Sequence, residues 1–305
     1  MGRMSSRFAE FGLVLLVAGC GGGGGGGSSI PEVPFSAFSA VKPNTTVVMN
    51  SGISTTATGS YTTIGNTTTV SLAGPAIEDP SAANTQKLTY DSNRALSGMS
   101  FSTPNGNASF NRSSGPFVCS VGVCQGISGI GTGVVIDGAS SPLGWNYQTF
   151  GVWERPLSAT TLQAGAITAG ATTPASAVPT SGSATFTGIS SAFYVDATGT
   201  PFFAAAQMSA TATWNTGSIA FSTSNTNTVN LNTSAQAFSQ TQLDLTGTLI
   251  YNSSANRFTG PVSTSVMNNG TATGRFYGPA AEEIGGVFSV SGAGGSMLGG
   301  FGGKR

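Results

Sequence analysis

Along the second half of the chain the apolar positions fall on every other residue. Ala204, Ala206, Met208, Ala210, Ala212 and Trp214 alternate with Gln207, Ser209, Thr211 and Thr213, the period-two pattern of a strand with one face turned to a core. Leu243, Leu245, Leu249 and Tyr251 alternate with Asp244, Thr246 and Thr248 in the same way, and Phe258, Val262 and Val266 extend the pattern past a polar loop at 252–256. The pattern predicts strands at 184–195, 202–214, 218–222, 228–231, 243–251, 258–267, 271–277 and 287–291. Eight antiparallel strands with one apolar face close into a barrel whose interior is filled by side chains.

The first half is patterned more weakly. Short β-like runs at 45–49, 59–64, 67–72, 87–90, 98–101, 108–111, 117–121 and 133–136 alternate with Gly, Asn, Ser and Pro clusters, and 145–153 reads as a longer aromatic strand. No segment after Ile30 has helical periodicity. A stretch rich in Ala, Thr and Gly leads to a connector at 173–182 with Pro174 and Pro179, and the domain boundary falls there. The fold class expected is all-β: an N-terminal β-sheet region over 31–176, then an eight-stranded antiparallel β-barrel over 177–305.

The N-terminus changes the compartment. Arg3 and Arg7 precede an apolar run at 11–18 that ends Leu16-Val17-Ala18-Gly19-Cys20. A positive start, a short apolar run and a small-residue cleavage site make a secretory signal over 1–19, too short to span a bilayer. The run L-V-A-G-C looks like a bacterial lipobox, in which Cys20 becomes the lipidated first residue and so the expected anchor to the outer membrane. Gly21 to Gly27 with Ser28 and Ser29 then read as a tether over 20–30. Without Arg3, Arg7 and Glu10, 9 of the 11 basic and 10 of the 11 acidic residues remain, a net charge near −1. That balance excludes nucleic acid as a partner.

Three cysteines divide between lipid and fold. With Cys20 acylated, Cys119 and Cys124 remain in an exported chain, separated by four residues that include Gly122, a spacing that can join them across a hairpin as a disulfide. A zinc site is the alternative, but two thiols and no histidine do not complete its shell. The lack of histidine also removes the commonest general base, so no enzyme activity and no cofactor or metal is expected. Gly129 to Gly133 resembles a phosphate loop, but Val134-Val135-Ile136 follows as a strand and not as a helix. Glu282-Glu283 reads as a charged turn capping the last hairpin. Trp145, Tyr147, Phe150 and Trp153 read first as core and second as anchors for a protein partner. Tyr61, Tyr90, Tyr194 and Tyr277 are the phenolate candidates for haem, with no spacing that singles one out.

The run Gly274 to Phe288, G-R-F-Y-G-P-A-A-E-E-I-G-G-V-F, resembles the closing hairpin of the barrel domain in transferrin-binding protein B and related surface lipoproteins of Gram-negative bacteria. Tyr147 to Trp153, and Thr173-Pro174 leading into Gly182 to Gly188, are similar to that family in wording and order. The resemblance implies a handle-like β domain before the barrel and a non-catalytic function, the binding of a protein or small solute ligand. It also implies an outer-membrane receptor as a further partner, with iron or haem acquisition as the common theme. The alternative is a structural or adhesive envelope lipoprotein that uses the barrel as a rigid spacer. A membrane-spanning barrel is a third reading, which the lipid anchor makes redundant.

Overall fold

The computed structural model describes residues 37–78, 83–129, 131–138, 140 and 143–305. The signal, Cys20 and the glycine tether lie outside them. In chain order the strands are β1 (Thr46–Met49), β2 (Ile53–Ile64), β3 (Thr67–Leu72), β4 (Ala76–Glu78), β5 (Thr85–Tyr90), β6 (Leu96–Thr103) and β7 (Gly106–Asn111). They continue as β8 (Phe117–Ser120), β9 (Val123–Ser128), β10 (Gly131–Ile136), β11 (Gln148–Pro156) and β12 (Thr161–Gly170). After a short 3-10 turn at Ala175–Ala177 come β13 (Ser183–Asp196), β14 (Pro201–Thr213), β15 (Ser218–Asn230), β16 (Gln236–Ala237) and β17 (Thr246–Asn252). The last four are β18 (Arg257–Ser263), β19 (Asn269–Tyr277), β20 (Glu283–Gly292) and β21 (Gly295–Lys304).

Three antiparallel layers result. A small sheet, β1-β5-β6-β7, covers one face of a larger one, β3-β2-β12-β11-β10-β9-β8, and β4 pairs with β2 at its side. The barrel lies on the other face of the large sheet. Its strands run β14-β13-β21-β20-β19-β18-β17-β15, and pairing of β14 with β15 closes the ring. Alternation decides which side chain enters which layer. From β11, Phe150 and Val152 pack toward the barrel with Phe193, Val287 and Leu298, while Trp153 faces the small sheet and stacks on Phe101 at 4.9 Å.

The barrel is closed and filled. Phe186, Trp214, Tyr251, Phe258, Phe276 and Phe301 are buried in its core with the alanines and methionine of β14. Trp214 meets Phe276 at 4.9 Å and Phe221 meets Phe301 at 4.7 Å. Edge and tilted ring contacts of this kind add about 0.5–1.5 kcal/mol each to the burial of their area.

Three sequence expectations need correction. Segments 218–222 and 228–231 are one continuous strand, β15, because pairing along β14 carries it through the polar middle Thr223 to Asn227. The run 274–288 is not the closing hairpin: the glycine-rich tail after it is β21, which pairs with β20 on one side and β13 on the other. The Ala, Thr and Gly stretch at 161–170 is β12, a central strand paired with both β2 and β11. Its small residues are required by neighbours, since a Cβ at Gly165 would overlap the indole of Trp153.

Candidate functional site

The large sheet meets the barrel along a seam built from both halves of the chain. On the barrel side, Gly285, Gly300 and Gly302 form a face without side chains. A Cβ at Gly300 would stand 2.7 Å from Phe150, and one at Gly285 would stand 2.7 Å from Thr168 Oγ1 and 2.8 Å from Gln148 Oε1. These glycines admit side chains of β11 and β12 to van der Waals contact with the barrel backbone. The carboxylate of Glu283, at the start of β20, is only 2% exposed. It accepts the backbone N–H groups of Asn146, Tyr147 and Gln148 at 2.5, 2.9 and 2.9 Å. Burial pushes its pKa up to about 7, while those three N–H groups and the charge of Lys304 pull it down.

Glu283 therefore corrects the sequence expectation of a charged turn: it is a buried clasp between the halves. Only Glu282 belongs to the turn, where its Oε2 accepts the N–H of Ala280 at 2.8 Å. A single acidic residue beside a glycine-rich strand carries no sequence signal for such a clasp. Asn256 works similarly from the loop at 252–256. Left-handed at φ 42°, it donates from Nδ2 to the carbonyls of Thr173 and Phe276 and accepts the N–H of Phe276, pinning the connector to the barrel.

At the rim of the seam, the β2–β3 hairpin runs past the barrel loops. Val70 N–H donates to Gly199 O at 2.8 Å, and Asn232 bonds both the N–H and the carbonyl of Thr68 at 2.9 Å. Between hairpin and barrel lies an open groove of about 550 Å³, walled by Ser60, Tyr61, Thr62, Thr69 and Ser71 on one side and by 195–199 and 292–296 on the other. Tyr61 and Val70 also wall a second cavity of about 30 Å³, together with Phe193, Leu231 and Glu154. Glu154 is 7% exposed, and its Oε1 has no hydrogen-bond partner. Burial pushes its pKa up to about 8, against the hydrogen bonds of Thr132, its register partner on β10.

The remaining candidates are placed as follows. Cys20 lies outside the described residues. Cys119 and Cys124 face each other across the β8–β9 hairpin and are joined by a disulfide. Trp145, Phe150 and Trp153 are fully buried and Tyr147 is half-buried, so the first three are core and not exposed anchors. Each candidate haem tyrosine has a protein partner for its hydroxyl: Ser158 O for Tyr61, Asp137 for Tyr90, Gly294 O for Tyr194 and Thr168 for Tyr277. Burial raises the pKa of Tyr90, Tyr194 and Tyr277, which disfavours the phenolate that haem ligation needs. Past Gly129 the chain enters β10, a strand and not a helix N-terminus.

Residues 178–305 match the model of the C-lobe and N-lobe β-barrels of Tf-binding protein B. No curated protein sequence matches this chain significantly. Among solved structures, a transferrin-binding protein B variant from Haemophilus parasuis is similar at 13% identity over 81% of this chain and 60% of that one, with a TM-score of 0.43. The isotype 1 transferrin-binding protein B of serogroup B Neisseria meningitidis gives 17% identity over 81% of this chain and 51% of that one, with a TM-score of 0.38. The N-lobe domain of lactoferrin-binding protein B from Moraxella bovis gives 14% identity over 52% of this chain and 76% of that one, with a TM-score of 0.32. This chain thus spans 60% or less of the first two proteins' lengths, and likenesses at these scores add no weight to the domain match. It is the barrel match that places the C-terminal domain of this chain in the transferrin-binding protein B family of β-barrels.

Proposed function

We propose that this chain is a non-catalytic surface lipoprotein that captures a protein ligand at the outer membrane. In this reading Cys20 carries the lipid, 20–30 is the tether, 31–176 is the handle-like domain and 177–305 is the barrel. The observation that carries the reading is the match of residues 178–305 to the barrels of a transferrin-binding protein. The filled barrel interior sharpens it. A core of packed aromatics leaves the outer faces and loops to meet the ligand, which favours a protein over a small solute held in the lumen. Passage of iron or haem to an outer-membrane receptor is the corresponding physiological role.

Surface plasmon resonance of the purified full-length lipoprotein in detergent with iron-loaded transferrin tests the reading, with a haem titration followed by absorbance alongside. Saturable transferrin binding is the expected outcome. The spacer reading is favoured by the seam, where the Glu283 clasp and the glycine face tie sheet to barrel. Absence of binding to transferrin and haem, together with cell-to-cell adherence that depends on this protein, would replace capture with that reading.

A further inference from the structure

We propose that the groove between the β2–β3 hairpin and the barrel rim binds a neutral oligosaccharide segment, a site that does not depend on the protein partner proposed above. Its volume of about 550 Å³ falls within the roughly 300–1,000 Å³ of small-ligand sites, and it lies where two structural layers meet. The chemistry of its walls selects the ligand. Ser60, Thr62 and Ser71 bring hydroxyls able to donate and to accept, as the hydroxyls of a sugar do, while those of Thr69 and Thr198 donate to Thr62 O and Asp196 Oδ1 and keep lone pairs to accept. No Lys or Arg lines it, so phosphate, sulfate and sialic acid find no counter-charge there.

Asp196 adds a directed acceptor. Its Oδ1 takes the N–H of Thr198 at 2.8 Å, the hydroxyl of Thr198 at 2.7 Å and the N–H of Thr200 at 2.9 Å. These bonds fix the loop and leave Oδ2 to accept from ligand hydroxyls. Tyr61 is half-buried in the opposite wall with its hydroxyl tied to Ser158 O at 3.0 Å, so its ring is held as an apolar surface for the C–H side of a pyranose.

The second cavity gives the site its depth. It shares Tyr61 and Val70 with the groove, and its 30 Å³ is room for one hydroxyl or one water. The buried carboxyl of Glu154 lines it with Oε1 unpartnered. An unsatisfied buried oxygen is costly in an apolar setting, and a ligand hydroxyl reaching past Tyr61, directly or through a water, satisfies it.

NMR titration of the full-length protein tests the site with three probes. A galactose-terminated biantennary N-glycan stands for a glycoprotein source, a neutral O-antigen polysaccharide for an envelope source, and a heparin oligosaccharide is the anionic control. Saturable shifts at Tyr61, Thr198 and Ser296 with one of the neutral probes are expected, and the probe that binds identifies the source. Thr69→Trp, which fills the groove from an exposed strand position, should weaken that binding about tenfold or more. Thr198→Trp blocks it from the opposite wall should the first variant fail to fold. Saturation by neither neutral probe overturns the proposal. Unchanged affinity in a folded blocking variant does so equally, as does tighter binding of heparin to the same residues.

Discussion

Replacing Glu154 with Gln should stabilise this protein, and the gain should grow as the solution becomes more alkaline. Glu154 projects from β11 into an apolar cavity bounded by Val70, Leu162, Phe193, Pro201 and Leu231, with Tyr61 and Thr68 in its wall, Thr132 hydrogen-bonded to its carboxyl and no cation among the lining residues. Burial raises its pKa from 4.5 to about 8. A carboxyl whose folded pKa is raised contributes its full stability below about 4.5 and loses it as pH rises toward 8, because the unfolded chain gives up the proton first. At about pH 7.5 the unfolded chain has released the proton and the folded one retains it. At about 1.4 kcal/mol per tenfold in proton affinity, this withholds on the order of 4 kcal/mol from the fold. Gln keeps the shape and never ionises, so Glu154→Gln should regain most of that at about pH 7.5 and less than about 1 kcal/mol at about pH 5. Urea unfolding of both proteins at the two pH values measures the difference. A variant no more stable than wild type at about pH 7.5, or a difference that does not change with pH, would refute the burial argument.

Glu283→Ala orphans one buried and two part-buried N–H groups and should cost on the order of 3 kcal/mol in denaturant unfolding, where an unchanged midpoint would speak against the clasp. Gly300→Leu drives a side chain into Phe150 and should part sheet from barrel, seen as faster proteolysis of the connector at 173–182 without loss of β circular dichroism. Trp214→Ala empties the ring cluster at the barrel end and should cost about 3–5 kcal/mol in thermal unfolding. The Cys119–Cys124 disulfide closes so short a loop that its reduction should cost only about 1–3 kcal/mol, with the barrel transition unmoved in calorimetry. Cys20→Ser should abolish incorporation of a fatty-acid analogue and release the protein from membranes, since lipid contributes roughly 0.8 kcal/mol per buried methylene.

Strands with strict alternation were legible, and β14 with its inward alanines, Met208 and the following Trp214 is the clearest case. Strands built to be flat were not. β12 and β21 carry Gly and Ala where a neighbouring sheet or ring lies against them, so the feature that positions them, the absence of a side chain, looks like a linker in sequence. The number of barrel strands came out at eight from compensating errors, one strand divided at its polar middle and one omitted at the C-terminus. Glu283 shows the same limit at the candidate site. Its neighbour Glu282 is turn chemistry, and nothing local distinguishes the residue whose partners lie 135–137 positions away. The groove is likewise assembled from segments at 60–72, 195–199 and 292–296, whose Ser, Thr and Gly read separately as ordinary turns.

Closure of the barrel depends on the glycine-rich C-terminus being a strand. Hydrogen exchange of the intact protein, followed by mass spectrometry on peptides spanning 295–304, tests this directly. Bonded to β13 and β20 along its length, β21 should exchange as slowly as peptides from 184–195 and 284–291. Exchange of 295–304 at the rate of an unstructured chain would mean an open barrel, with no glycine face for the sheet to rest on.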